Sequence, residues 1–180
     1  MPLPVGSEEV IKRWFGDRGL EADIGFLRKT GLYYDLILEW SRRINLVSKN
    51  DLSNLLERHI LDSLVPIKEI PIKGDLVDIG SGAGFPAIPI ALVRPELYIV
   101  MVESRRKKVL FLNEVVSKLE LPGVSVWNGR LEDYFPAKKY DIATIRAVLV
   151  TEKNRKHLRK IIKESGKIIY YNKFNEYKLL

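Results

Sequence analysis

One stretch of the sequence, residues 76–93, constrains the fold more than any other, because it combines a strand, a glycine turn and a helix start. The apolar run at 76–79 follows a Lys-Gly pair and is typical of a buried parallel strand. Gly80, Gly82 and Gly84 come next, and glycine permits backbone angles and close approaches that other residues do not. Two early prolines then favour a helix start, where missing N–H groups do no harm. Free backbone donors and a positive helix end would meet at this turn, which predicts a cofactor cradle; an ordinary tight strand–helix turn is the alternative.

The spacing of this turn narrows the class of cofactor. The run from Gly80 to Gly84 is G-x-G-x-G, one residue shorter than the dinucleotide fingerprint, and bulky Phe85 follows it. A nicotinamide-dependent oxidoreductase is therefore the weaker alternative. Glu103 closes the next apolar run, at 98–102, where a carboxylate would hold ribose hydroxyls about 20 residues after the turn. This combination resembles the class I S-adenosylmethionine-dependent methyltransferases.

Composition excludes several kinds of chemistry. The 180 residues contain no cysteine and two histidines, so we exclude a disulfide framework, a thiolate metal site and a cysteine nucleophile, and we predict no metal centre. No stretch approaches a membrane-spanning length and the N-terminus shows no apolar leader, which predicts a cytoplasmic protein without a membrane partner. The formal net charge of +7 predicts a polyanionic partner. Basic residues cluster at 42–43, 105–108 and 153–163, although each cluster alone is as well explained by a solvated face.

Periodicity divides the chain into a helical part, 1–70, and an α/β part, 71–180. The helical part is expected to hold a first helix capped by Ser7-Glu8-Glu9, a long helix at about 23–45 and a third at about 52–64.

The second part alternates strands with helices, which predicts a doubly wound, mostly parallel, Rossmann-like sheet. Its strands are expected at about 76–79, 98–103, 124–127, 140–146 and 167–171, and its helices at about 85–93, at 105–119 and up to 164. Ligands of such sheets bind at the carboxyl ends of the strands, which here are 80–85, Glu103, 129–132 and Arg146.

Several short stretches between about residues 45 and 147 resemble one family. They are RHILDSL at 58–64, DIGSGAGFP at 78–86, ESRRK at 103–107, FL at 111–112, RLE at 130–132 and RA at 146–147. In this order they resemble the bacterial glucose-inhibited division protein B family, the guanine-N7 methyltransferases of small-subunit ribosomal RNA.

The resemblance implies S-adenosylmethionine as cofactor and a guanine in the decoding region of 16S rRNA as substrate. The partner would be 16S rRNA, the small ribosomal subunit or its assembly intermediate, and the protein would act as a monomer. The cofactor-binding residues would be Gly80, Ser81, Gly82, Gly84 and Phe85 in the turn, Glu103 at the ribose, Leu131 and Glu132 at the adenine, and Arg146 at the pocket mouth. The RNA-binding residues would be Arg58, His59, Asp62, Arg105 and Arg106.

The sequence departs from the family pattern in places. Ala87 stands where glycine is usual after Gly-Phe-Pro, and Ile145 stands where serine is common before Arg146. Lys173-Phe174 replaces a usual Lys-Gly pair. Residues 174–180 are too few for a helix and two further strands, so we expect either that the C-terminal part of the sheet is trimmed or that the chain ends early, and an exposed edge would need protection.

Methyl transfer to guanine N7 would need few catalytic groups, because N7 carries a lone pair and no proton. Arg146 is the expected catalytic residue. Its expected role is to orient the base or the cofactor carboxylate, and it transfers no proton. The alternative is a non-catalytic RNA-binding or ribosome-assembly module that retains the fold. Cofactor binding without methyl transfer would distinguish that alternative.

Overall fold

The computed structural model describes residues 3–149 and 151–180. Met1, Pro2 and Val150 lie outside the described residues, and with them the first two positions of the predicted helical part and one position of the segment after the fourth strand. The helices are α1 (Ser7–Gly16), α2 (Ile24–Ser41), α3 (Lys49–Leu52), α4 (Ala87–Val93), α5 (Arg106–Lys118) and α6 (Glu152–Ile161). The strands are β1 (Lys73–Ile79), β2 (Glu96–Glu103), β3 (Val124–Asn128), β4 (Tyr140–Arg146), β5 (Ile162–Lys173) and β6 (Glu176–Leu179).

The strands form a single sheet in the order β3-β2-β1-β4-β5-β6. The first five strands run parallel and β6 is antiparallel to β5. Strand β1 lies at the centre, where Val77 is opposite Val100 of β2 and Ala143 of β4. The strand order reverses between β1 and β4, and a crevice at such a point is where doubly wound sheets bind ligands. The predicted doubly wound, mostly parallel sheet is confirmed.

Apolar side chains cover both faces of this sheet. On one face, Phe15 and Tyr33 of the helical part join Phe111 of α5 and Met101 of β2 in one buried cluster. On the other face, α6 packs its Leu158 against alternate residues of the same strands. The core on the first face contains residues of both predicted parts, 1–70 and 71–180, and does not divide between them. The predicted boundary near residue 70 therefore stays a prediction. None of the described helices has the length and apolar content needed to span a bilayer.

The start of α1 differs from the prediction. Gly6 precedes the helix with φ +84°, and no side chain of the described residues caps it. Ser7 is the first helical residue and is buried, so the predicted Ser7-Glu8-Glu9 cap is wrong. Glycine can take the left-handed angle that the chain needs here, and this moves the helix start one residue back.

The third predicted helix is also different. In place of a continuous helix at 52–64, the chain forms α3, a π-helical turn at Leu56–Leu61 and a 3-10 turn at Asp62–Leu64. Turns of the π type concentrate at functional sites, because they re-aim side chains relative to a regular helix.

Strand β5 begins earlier and ends later than the strand predicted at 167–171, and a further strand follows it. Helix α6 stops at Ile161 because Ile162 already pairs with Tyr140 of β4. Ser165 and Gly166, between the predicted helix end at 164 and the predicted strand at 167–171, lie inside β5, where the register shifts before Lys167 pairs with Ile142. The last residues form β6, which pairs along β5 from 169 to 173, so β5 is not the edge strand.

Candidate functional site

The glycine turn after β1 is shaped by contacts that only glycine permits. Gly80 donates its N–H to the carbonyl of Val102 at 2.8 Å. Gly80, Gly82 and Gly84 have φ values of +73°, +59° and +92°. A Cβ on Gly80 would lie 2.4 Å from Cγ2 of Val148, a distance at which something must move. The turn is therefore fixed against both β2 and the segment after β4.

Gly82 and Gly84 face opposite environments. A Cβ on Gly84 would meet Ile88 at 2.7 Å and the Tyr33 hydroxyl at 3.0 Å, so this glycine packs against the core. The Tyr33 hydroxyl itself donates to the carbonyl of Ala83 at 2.6 Å. A Cβ on Gly82 would have no protein atom nearer than 3.7 Å, which leaves that side of the turn open.

Glu103 ends β2 beside the turn and is buried. One of its carboxylate oxygens accepts the N–H of Gly82 at 2.9 Å, and the other accepts the N–H of Arg105 at 2.7 Å. Its carbonyl accepts the Asn128 amide at 3.0 Å. These bonds hold the carboxylate rigidly between the turn and α5, and each oxygen keeps a lone pair for a further donor.

These strand ends enclose a cleft of about 490 Å³. Many of the residues predicted for the site line it: His59, Gly80, Ser81, Gly82, Phe85, Glu103, Arg105, Leu131, Glu132 and Arg146. The other predicted residues, Arg58, Asp62, Gly84 and Arg106, do not line it. Among the lining residues that sequence reasoning missed are Leu46, Val47, Lys108, Val148 and Asn154.

One end of the cleft is formed by a 3-10 turn, Leu131–Asp133. The Asn154 amide donates to the Glu132 carboxylate at 3.1 Å. A hydrogen bond from its own backbone, then the one from Asn154, lowers the pKa of Glu132. Asn154 also forms a capping box with Thr151 at the start of α6. The start of α6 therefore holds Glu132 in place.

Arg146 ends β4 with its side chain 16% exposed. Its guanidinium contacts residues 58–64, which we call the cap segment. One terminal nitrogen donates to the Arg58 carbonyl at 2.6 Å and pairs with the Asp62 carboxylate at 2.7 Å. The other donates to the His59 carbonyl at 3.3 Å and to the Ser63 hydroxyl at 3.2 Å.

His59 is the residue of the cap segment that lines the cleft. Its ring stacks on Phe85 with centroids 5.1 Å apart and planes 26° apart. Burial, then the Arg146 charge, lowers the pKa of His59 to about 4, so the imidazole is neutral at pH 7. Its Nε2 is buried without a hydrogen-bond partner among the described residues.

Asp78 lies beneath the glycine turn and is completely buried. One carboxylate oxygen accepts the Thr144 hydroxyl at 2.7 Å, and the other has no partner within 3–149 and 151–180. Burial raises the pKa of Asp78 to about 7, against smaller lowering effects from hydrogen bonds and from Arg146. A carboxyl group under the floor of the cleft thus changes charge near neutral pH.

The cationic side chains near the cleft differ in exposure. Arg105 and Arg106 are exposed at the start of α5, and Arg58 is exposed on the cap segment. Lys108 lines the cleft, and burial lowers its pKa while Glu103 opposes the shift. Lys108 and Arg105 therefore line the cleft, whereas Arg58 and Arg106 lie outside its lining.

The sequence model of one family, described as rRNA small subunit methyltransferase G, matches residues 27–178. The chain belongs to this family. The match confirms the resemblance to the glucose-inhibited division protein B family that the sequence motifs suggested.

Curated relatives carry the name ribosomal RNA small subunit methyltransferase G. The protein of Lachnoclostridium phytofermentans is 36% identical over 159 residues, which cover 85% of this chain and 66% of that protein. The protein of Nitrosomonas eutropha is 45% identical over 130 residues, 72% of this chain and 60% of that protein. The chain thus spans about two thirds or less of the length of these family members.

Solved structures show the same fold at lower identity. The structure of coclaurine N-methyltransferase bound to N-methylheliamine and SAH has a TM-score of 0.56 and 14% identity, and covers 91% of this chain and 58% of that chain. This likeness shows the fold alone. It confirms that the chain has the class I methyltransferase architecture.

Proposed function

We propose that this protein transfers a methyl group from S-adenosylmethionine to N7 of a guanine in the decoding region of 16S rRNA. The observation that carries the proposal is the single cleft in which the glycine turn, Glu103 and Leu131–Glu132 meet. The names of the family and of its curated members support the RNA substrate.

The residues of the cleft fit the cofactor. Its volume falls in the range of about 300–1,000 Å³ that small-molecule sites occupy. Gly82 lines the cleft, and a Cβ there would lie 3.7 Å from Nζ of Lys108, another residue of the lining, so a side chain at this position would take up room beside the cleft. Glu103 has lone pairs left for a ribose diol, while buried Leu131 offers an apolar surface for a base. We assign Glu103 to the ribose, and Leu131 and Glu132 to the adenine. The methionine end lies at the turn residues Gly80, Ser81, Gly82, Gly84 and Phe85. Gly84 contributes by shaping the turn from beneath.

The chemistry needs positioning more than proton transfer. When bound, the cofactor supplies a methyl group already activated by its sulfonium. Guanine N7 carries a free lone pair, so the protein's task is to align the base and exclude water. Such positioning is worth roughly 7–11 kcal/mol of barrier. The ring of Phe85 and the stacked His59 close the cleft from the side of the cap segment.

The RNA is bound through cations around the cleft. Arg58, Arg105 and Arg106 are exposed and contact phosphates, while His59 and Asp62 belong to the cap segment that lies over the site. The target guanine is unstacked to enter the cleft. Binding should weaken as salt rises, because phosphate contacts release counterions. The partner is 16S rRNA, free or within the small subunit or its assembly intermediate, and the protein acts as a cytoplasmic monomer.

The decisive experiment uses labelled S-adenosylmethionine and small-subunit RNA from a strain that lacks this methylation. We expect label in 16S rRNA, at N7 of one guanine when the modified base is mapped. Free 16S rRNA, small subunits and assembly intermediates are tested in parallel, because the preferred form is part of the proposal. Binding of the cofactor without transfer to any of them would favour the non-catalytic RNA-binding module.

A pair of glycine variants tests the cofactor cradle. Gly82→Val places a side chain beside the cleft, where its Cβ would lie 3.7 Å from the Gly80 carbonyl oxygen and from Nζ of Lys108, whereas a Cβ at Gly19 meets nothing within 4 Å at a similar φ of +68°. We expect calorimetric affinity for S-adenosylmethionine to fall by more than about tenfold in the first variant and to persist in the second. Equal affinity in both variants would place the cofactor elsewhere.

A further inference from the structure

We propose that Arg146 is a positioning residue, which with Asp62 clamps the cap segment and keeps His59 on the ring of Phe85. The inference rests on the proposed function of the cleft and assigns Arg146 a different part in it. Arg146 acts through the cap segment and does not bond the incoming guanine.

The guanidinium of Arg146 has little capacity left for a substrate. An arginine has five N–H donors. Contacts with Arg58, His59, Asp62 and Ser63 engage both terminal nitrogens. Within the described part of the chain, only the Nε–H lacks a protein acceptor. A bidentate pair with a guanine edge uses two donors, so it would require Arg146 to release the cap segment.

Asp62 connects this clamp to the end of the sheet. Its carboxylate is buried and its second oxygen accepts the N–H of Asn175 at 2.6 Å, in the turn between β5 and β6. The Tyr171 hydroxyl of β5 donates to the carbonyl of Ser63 at 2.6 Å. The cap segment is therefore held by β4, by β5 and by the turn that follows β5.

The clamp sets the position of His59 directly. Arg146 donates to the backbone carbonyl of His59, and the Ser63 hydroxyl donates to the same carbonyl at 2.5 Å. The imidazole then faces the cleft against Phe85. If either partner of the buried Arg146–Asp62 pair is removed, the other is left as an uncompensated charge, which drives the segment away from its place.

A double-mutant cycle separates a clamp from a direct substrate contact. Arg146→Ala, Asp62→Asn and the double variant are compared in single-turnover methylation at saturating cofactor. We expect each single variant to lose about tenfold in rate and the double variant to lose little more, because partners in one contact are not additive. If the two losses multiply, Arg146 acts on the substrate independently of Asp62 and the clamp is wrong.

Glu69→Gln is the matched control for Asp62→Asn. Glu69 also joins the helical part to β5, through an ion pair of 2.8 Å with Lys167. It does not line the cleft. We expect its methylation rate to stay within about twofold of the wild type, since exposed ion pairs contribute little. A loss equal to that of Asp62→Asn would mean that any such pair matters, and the inference would fail.

The titration of His59 supplies a readout that needs no catalysis. The chain has two histidines, so His157 serves as an internal reference in a proton NMR titration. The charges that act on His59 are Arg146, Arg58 and Asp51. Electrostatics alone would leave its pKa unchanged or lower in Asp62→Asn, because a negative charge is lost. Release of the cap segment would instead expose the ring and raise its pKa from about 4 toward 6.5.

The two failures can be told apart. If the wild type methylates no RNA but His59 in Asp62→Asn titrates near 6.5, the proposed function fails and the clamp stands. If methylation is found but the His59 pKa does not change in Asp62→Asn, the clamp is overturned and the proposed function stands. Thermal unfolding of each variant is recorded first, and Arg146→Lys replaces Arg146→Ala if the alanine variant does not fold.

Discussion

The two sides of the cleft are built in different ways. The glycine turn is held mainly by its own main-chain N–H groups, which donate within the turn, from Gly84 to Ser81 at 2.6 Å, and to the end of β2, from Gly80 to Val102 at 2.8 Å. The cap segment is held by the side chains of Arg146 and Tyr171 and by the backbone N–H of Asn175, with separations of 88 for Arg146 to Arg58 and 113 for Asn175 to Asp62. The turn thus depends mainly on the neighbouring strand β2, whereas the cap segment depends on the C-terminal end of the sheet.

One kind of hydrogen bond nevertheless occurs in both the glycine turn and the cap segment. A buried tyrosine hydroxyl donates to a main-chain carbonyl at 2.6 Å in each case, Tyr33 to Ala83 in the turn and Tyr171 to Ser63 in the cap segment. The difference therefore lies in what else supports each side. Variants that remove one support at a time test whether the two sides differ in this way.

The largest effect is expected from Gly84→Ala in the turn. The new Cβ would meet Ile88 at 2.7 Å while φ is +92°. Left-handed strain and overpacking together should lower the free energy of unfolding by about 3 kcal/mol. Gly19→Ala, with φ +68° and open space, carries the strain alone and should lose about 1 kcal/mol. Urea unfolding measures both, and equal losses would show that the turn is less tightly packed than described.

The next effect concerns the pH dependence of stability. The pKa of Asp78 is about 7 in the folded protein, because of burial, and near 3.8 otherwise. The folded state then keeps a proton that the unfolded chain releases, so stability should fall as pH rises between these values. We expect Asp78 to account for on the order of 2 kcal/mol between pH 5 and 7.

Comparison with Asp78→Asn isolates this contribution. His59 acts in the opposite direction, since its lowered pKa of about 4 makes stability fall as pH drops below its ordinary 6.5. Both proteins contain His59, so its effect cancels in their difference. The advantage of the asparagine variant over the wild type should grow from pH 5 to pH 7 in urea titrations. A constant difference would mean that Asp78 is ionised throughout.

The paired tyrosines give a smaller and more selective test. Tyr33→Phe and Tyr171→Phe each leave a carbonyl without its donor and should each cost about 1–2 kcal/mol of stability. Hydrogen exchange should then distinguish them. We expect amides at 58–64 to exchange faster in Tyr171→Phe, and those at 80–84 to remain protected in both, because main-chain bonds still hold the turn. Equal deprotection of both stretches would remove the distinction between the two sides.

The smallest effect is expected at the start of α6. The Thr151 side chain accepts the N–H of Asn154 at 3.2 Å, and Thr151→Ala should cost about 1 kcal/mol. Ser48→Ala, at the start of the short α3, provides a second cap that lies away from Glu132. Only Thr151→Ala should also weaken calorimetric affinity for S-adenosylmethionine, because Asn154 holds Glu132. If both variants bind alike, the capping box has no part in the cofactor site.

The parts that the sequence predicted are the local ones. The strand at 76–79, the glycine turn and Glu103 follow one another closely, and their spacing alone places them at adjacent strand ends. The cap segment was predicted to be a regular helix because its apolar spacing is helical. Long-range bonds from Arg146 and Tyr171 accompany the π-helical turn that replaces it, and no local pattern contains that information.

Other misses have the same origin. Lys108 belongs to a run of basic residues, and only the packing of α5 shows that it faces the cleft. Asn154 is unremarkable in sequence until the capping box brings it to Glu132. The early start of β5 follows from the pairing of Ile162 with Tyr140, which overrides a helical pattern that continues to residue 164.

The bond from Asn175 to Asp62 has a consequence for the order in which the molecule is completed during translation. The residues that line the cleft end at Asn154, so the lining is synthesised before β5 and the turn that follows it. The last of the bonds that hold residues 58–64, from Asn175 to Asp62, can form only after residue 175 has left the ribosomal tunnel. If the proposed function holds, a nascent chain would thus contain every residue of its methyl-donor site before the last bond of the cap segment can form.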